Sequence, residues 1–181
     1  MRRTAILLCL LLLPLAAPAE TLDLGPHGTF QFTPPKGWTY SVTKAEDTGY
    51  AIMLTPPADV NARCLINLVF VPKGETSSKE DVQEKVLSIS DQFVDASVEK
   101  KKVLRSFTVS MGYGSYCVFT DASQVGQPTT KDVFKMIAIG MIRFNDDVSA
   151  AVSILADDEK GPDFAAMMKA LSGATVAPTS K

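Results

Sequence analysis

Three proline-bearing breaks, Pro34-Pro35, Pro56-Pro57 and Pro72, cut the first half of the chain into short runs in which apolar and polar residues alternate. Proline has no N–H to give to a sheet ladder, so each break ends a strand or turns it. Repeated breaks favour short antiparallel strands over a parallel sheet. The runs predict strands over 29–33, around Phe30 and Phe32; from Trp38 through Tyr40 and Val42; over 48–57; and over 63–71. In "FTPPKGWTY" Pro34 and Pro35 are expected to end an edge strand. Gly37 is expected to supply a positive φ, and Trp38, the single tryptophan, to anchor the turn on the core side of the next strand.

The period then changes. Ser77 and Glu80 have the spacing of a capping box, and Val82, Val86, Ile89 and Phe93 follow at helical intervals, predicting an amphipathic helix that runs to about Ser97. Alternation returns over 103–111, 113–121, 133–144 and 148–156, the last two joined by a hairpin at Asn145-Asp146-Asp147. Pro162 opens a final helix whose apolar stripe is Phe164, Met167, Met168 and Leu171, and Gly173 closes it. Strand runs and helices in separate blocks define an α+β fold, an antiparallel β-sheet with the two main helices packed on one face.

The first residues carry a different message. Arg2 and Arg3 precede an apolar run from Ala5 to Leu13, and Ala17-Pro18-Ala19 offers small residues where a signal peptidase reads. The run is far short of the roughly 20 residues that span a bilayer. Residues 1–19 are therefore expected to be a signal peptide cleaved before Glu20, with export to the periplasm or the medium. Cys9 lies inside the apolar run, which argues against lipidation. Residues 20–175 form one domain, and 176–181 are expected to be a flexible tail. Without the leader the chain has 16 basic and 20 acidic residues, a net charge of −4. A domain of this length buries enough surface to fold on one core. Lys100-Lys101-Lys102 is the one basic run and suits a helix C-terminus, so nucleic acid is not an expected partner.

Cys64 and Cys117 remain after cleavage. Export allows them to pair as a disulfide, and two buried thiols are the alternative.

Catalytic constellations are hard to assemble from these residues. His27 is the single histidine and lies in the Gly/Pro-rich "LGPHGT". The nearest approach to a nucleophile elbow, Gly112-Tyr113-Gly114-Ser115, alternates as a strand does. A zinc site from His27, Cys64 and Cys117 would span intervals of 37 and 53 residues, which fits no common ligand pattern. Asn145-Asp146-Asp147 and Asp157-Asp158-Glu159 are separated by a whole strand and lack the calcium-loop pattern. No catalytic residue, cofactor or metal is expected. The hairpin should instead return Asp157 and Asp158 toward Lys131 and Asp132, beside the uncharged polar loop 122–130. Ser123, Gln124, Gln127, Thr129, Asp157 and Asp158 are thus the candidate partner-binding residues, and Pro34, Pro35, Gly37 and Trp38 are structural.

The segments "FQFTPPKGWTY", "YAIMLTPP" and "LINLVFVPKGETSSKEDV", followed by a long hairpin and "DFAAMMKALSGATV", resemble the PsbP-like family across almost all of the mature chain. That fold is shared by an extrinsic photosystem II subunit, a Ran-binding nuclear protein and small exported bacterial proteins. The resemblance implies a sheet-and-helix sandwich used for protein contact, without a shared catalytic set. The expected function is an exported, non-enzymatic protein-binding module of the bacterial periplasm whose partner is unknown, an envelope protein or a toxin effector. An immunity protein that neutralises a secreted toxin is one alternative. A small-ligand carrier or hydrolase using a helix–sheet cleft is the other.

Overall fold

The computed structural model describes residues 19–45, 48–72 and 78–179. Residues 1–18 of the expected signal peptide, Cys9 among them, and Ser77 lie outside the described residues. Ten strands among the rest form two antiparallel sheets. The small sheet holds β1 (Glu20–Asp23), β2 (Thr29–Phe32) and β10 (Thr175–Ala177), in the order β1-β2-β10. The large one runs β3-β4-β5-β9-β8-β7-β6, with β3 (Thr39–Ala45), β4 (Gly49–Thr55), β5 (Arg63–Phe70), β6 (Arg105–Phe107), β7 (Tyr113–Thr120), β8 (Met136–Arg143) and β9 (Val148–Ala156). Two helices complete the fold, α1 (Lys79–Val94) and α2 (Pro162–Ser172).

Alternation along the strands sorts side chains onto two faces of the large sheet. Val148, Ala150, Val152 and Ile154 of β9 lie in one core with Ile52, Leu54, Cys64, Ile66 and Leu68, and this core also takes in Phe30 and Phe32 of the small sheet and Phe164, Met167 and Leu171 of α2. Cys117 and Phe119 of β7 point the other way and pack with Val86 of α1. The two helices therefore cover opposite faces, which corrects the expectation that both share one. Their stripes specify that each buries a side, and only the crossover path decides which side of the sheet it reaches.

The expected edge strand before the prolines is also corrected. β2 is the central strand of the small sheet, paired to β1 on one side and β10 on the other. Pro34 is buried, and the turn passes the chain from the small sheet to the large one. Trp38 N–H donates to the Pro35 carbonyl at 3.0 Å, and Gly37 has φ +81°, where a side chain would cost about 1–2 kcal/mol. Trp38 is half-buried against the main core, while Tyr40 and Val42, further along β3, are exposed.

Residues 176–181 are not a loose tail from their start. Val176 is 1% exposed and pairs with Phe30, and Ala177 pairs with Thr29. A single apolar residue in "TVA" gives no periodicity to read, and the strand exists because β2 offers a free edge. β1 was likewise illegible, with only Leu22 apolar in "ETLD". β6 is confined to Arg105–Phe107 rather than 103–111. The helix cap sits one residue later than expected: Ser78 Oγ accepts from Asp81 N–H at 3.1 Å and Asp81 accepts from Ser78 N–H at 2.6 Å. The bond from the Ser78 N–H, and after it an interaction of the carboxylate with the Ser78 hydroxyl, hold the Asp81 carboxyl below its usual range.

The disulfide is ruled out by the same face assignment. Cys64 pairs across the ladder with Ile154, Ile154 with Ala138 and Ala138 with Val118, so Cys117 lies on the opposite face and three strands away. At about 4.8 Å per strand this is roughly twice the span a disulfide bridges. Both cysteines are free and buried. Burial pushes the Cys64 thiol up to about 12.

Candidate binding face

Helix α1 packs on β7 and β8. On the same face of the sheet, Ala51 and Met53 of β4, Leu65 of β5 and Ala151 and Leu155 of β9 are only half-buried, and Val69 is exposed. Arg63, Asn67 and Ser153 alternate with these apolar residues on the same face, and a helix closes only its β7–β8 half. Where the end of α1 meets it, a cleft of about 250 Å³ opens between Phe93 of α1, Phe119 of β7, Ile137 of β8, Leu155 of β9 and Phe134. Thr120 and Asp121 give the cleft its polar side.

Loop 121–135 leaves and re-enters the cleft wall at Asp121 and Phe134. Asp121 accepts from both the N–H and the hydroxyl of Ser123, at 2.8 and 2.7 Å, and so starts the 3-10 turn Ala122–Gln124. Lys135 Nζ donates to the Gln127 carbonyl at 2.8 Å, pinning the middle of the loop. Ser123, Gln127 and Thr129 are exposed, Gln124 is partly so, and Val125 is 60% exposed. A loop tied at several points yet presenting an apolar side chain to solvent holds a defined surface without having to be ordered on contact.

The expected approach of Asp157 to this loop is found, through a residue the sequence did not single out. Asn61 donates its side-chain amide to the Asp157 carboxylate at 3.0 and 3.1 Å, to the Val133 carbonyl at 3.0 Å and to the Thr130 carbonyl at 3.3 Å. Its oxygen accepts from Asp132 N–H at 2.9 Å. Asp157 is therefore half-buried and already engaged. Asp158 belongs elsewhere, accepting from Lys160 N–H at 2.9 Å just before α2. Arg63 lies 5.7 Å from the centre of the Phe134 ring and pairs with Asp132 at 3.1 Å, an exposed contact worth about 0–1 kcal/mol.

Glu99 supports the cleft from behind. Burial acts to raise its carboxyl, but hydrogen bonds from the Thr120 N–H and hydroxyl, both 2.8 Å, its own backbone and the charge of Arg105 outweigh that and hold it below the usual range. Among the described residues no group of three or more His, Cys, Asp or Glu is placed to hold a metal ion. No described helix is long and apolar enough to cross a membrane.

Phe93, Phe119, Phe134, Leu155 and Asn61 escaped the sequence reasoning. Phe93 entered it only as part of the apolar stripe of α1, and Phe119 only as a residue of the strand over 113–121. In "RCLINLVF" the polar Arg63 and Asn67 mark the less buried face, the one signal the sequence held for it.

These elements define an α+β sandwich, a seven-stranded antiparallel sheet between one helix and a layer of helix plus small sheet, and the fold is PsbP-like. The solution structure of cyanobacterial PsbP (CyanoP) from Synechocystis sp. PCC 6803 superposes with a TM-score of 0.52, at 10% sequence identity over 90% of this chain and 94% of that one. A mutant of the protein Mog1 gives a TM-score of 0.42 at 14% identity, covering 86% of each chain. No protein-family model matches the chain, and no curated protein sequence matches it.

Proposed function

We propose that this protein is a non-enzymatic protein-binding module, exported by the leader at residues 1–19 and acting in the bacterial periplasm or outside the cell. The observation that supports it is the half-covered sheet face, whose cleft of about 250 Å³ is bordered by the tied loop carrying the exposed Val125. The cleft is smaller than the roughly 300–1,000 Å³ of pockets that enclose whole ligands. It suits one apolar side chain of a partner, while the exposed polar residues Ser123, Gln127 and Thr129 belong to the loop whose ends, Asp121 and Phe134, line the cleft. In this reading a partner protein, a toxin effector in the immunity version, places an aromatic or branched side chain against Phe93, Phe119 and Phe134.

The test is capture of the partner by tagged protein under mild cross-linking, comparing wild type with Val125→Glu and with a Gln124→Ala/Gln127→Ala pair. A stoichiometric protein lost in both variants, at unchanged melting temperature, is the expected result. Binding unaffected by either variant sinks the assignment of this face. A small-molecule carrier is the second reading, favoured by the three phenylalanines around the cleft, and native mass spectrometry of the purified protein would show its cargo. Export is tested separately, by N-terminal sequencing, which should begin at Glu20.

A further inference from the structure

β3 is the open edge of the large sheet, and all seven of its residues, Thr39–Ala45, are exposed. An edge strand of this length presents unpaired N–H and C=O groups at alternate residues and invites another strand. Natural edges are normally blunted by proline, by bulges or by several charges. β3 is paired to β4 without a break from Thr39↔Thr55 to Ala45↔Gly49, contains no proline and carries one charge, Lys44.

What the edge accepts can be read from its own sequence. For two copies pairing antiparallel about a two-fold axis normal to the sheet, facing residues must point to the same side, so the axis must pass through a residue. An axis through Val42 pairs the whole of 39–45 with its copy. Val42 then faces Val42 once, on the axis, while Ser41 faces Thr43 and Tyr40 faces Lys44 twice each by symmetry.

The Tyr40 and Lys44 pairing is also the complementary one in charge. Tyr40 donates its hydroxyl to Glu20 at 2.8 Å, and among the described residues Glu20 has no cation partner and Lys44 no carboxylate partner. Facing side chains in an antiparallel pair sit about 5 Å apart at Cβ. The Lys44 ammonium of a second copy therefore reaches the Tyr40 ring and the Glu20 carboxylate behind it. We propose that the partner of this edge is a second copy of the chain, joined through β3 about Val42, with reciprocal contacts from Lys44 to Tyr40 and Glu20. One strand edge is small beside the about 1,200–2,000 Å² of standard interfaces, so the dimer should be a reversible, micromolar one. The edge is remote from the cleft, with β4, β5 and β9 between β3 and β8, so this inference does not rest on the proposed function.

Sedimentation velocity across about 1–200 μM tests it. Wild type should pass from monomer to dimer in this range, Lys44→Glu should weaken the dimer at least tenfold, and adding Glu20→Lys to that variant should restore it. Val42→Cys should form an intermolecular disulfide on mild oxidation with glutathione disulfide, while Ser41→Cys, which faces Thr43, should not. Protein that stays monomeric to 200 μM overturns the proposal. So does a dimer indifferent to Lys44→Glu, or equal cross-linking at 41 and 42.

Discussion

Asn61 and Asp157, 96 residues apart in sequence, are joined by two hydrogen bonds of 3.0 and 3.1 Å from one side-chain amide, and the same amide holds the carbonyls of Thr130 and Val133. This one contact fixes the loop that borders the cleft to the end of β9. Asp157 is consequently a support of the binding face, and a substitution there changes stability as well as any surface property. Asn61→Ala should cost about 2 kcal/mol, the scale of a hydrogen bond to a charged group with its neighbours left open. Chemical denaturation gives the cost, and faster hydrogen exchange at the Asp132 amide would localise it. Unchanged exchange would mean that the loop is held by other contacts.

Glu99 should make stability depend on pH. Its carboxyl titrates lower in the folded protein than unfolded, because the bonds from Thr120 outweigh burial. Its contribution is therefore complete above the unfolded value near pH 4.3 and is lost as pH falls through the folded value. Glu99→Gln should flatten the acid limb of a plot of urea midpoint against pH below about pH 5. Because the group is largely solvated, the effect should be modest, of the order of 1 kcal/mol or less.

Cys64 and Cys117 should resist alkylation in the native protein and react fully in denaturant. A thiol at about 12 is thiolate in only about one molecule in 10⁵ at pH 7, and burial also raises Cys117. Peptide mapping after iodoacetamide treatment reads both sites. An internal Cys64–Cys117 bridge under oxidising conditions would contradict the sheet register.

At the turn between the sheets, Gly37→Ala should lose about 1 kcal/mol, since φ +81° is strained for any residue with a Cβ. Trp38→Ala should lose about 2 kcal/mol, less than the roughly 3–5 of a fully buried aromatic, because the ring is half-exposed. Both are read from denaturation midpoints. A cost near 5 kcal/mol for Trp38 would mean that the ring is closed off from water.

Truncation after Ala174 should destabilise the domain by about 2–3 kcal/mol, the worth of burying Val176 together with one edge of the ladder to β2. Removing residues 178–181 alone should be nearly neutral. Thermal melts of the two truncations, compared with the whole chain, decide this.

The sequence by itself determined the elements whose side chains carry a period. Pro-terminated alternation marked β2 to β5, the spacing of Val82, Val86 and Phe93 marked α1, and Asn145-Asp146-Asp147 marked the β8–β9 hairpin. Local sterics and amphipathicity act within a few residues, so these are written locally. The tertiary structure alone decided what depends on partners distant in sequence. β1 and β10 exist because β2 offers them edges, and the helices take opposite faces because of the chain path between strands. Cys64 and Cys117 are separated by ladder order. The loop with Ser123 and Gln127 meets Asp157 only because Asn61 reaches across to both. Which half of the second sheet face stays open is fixed by where α1 comes to rest, and Arg63 and Asn67 mark only the less buried face of β5, not what covers it.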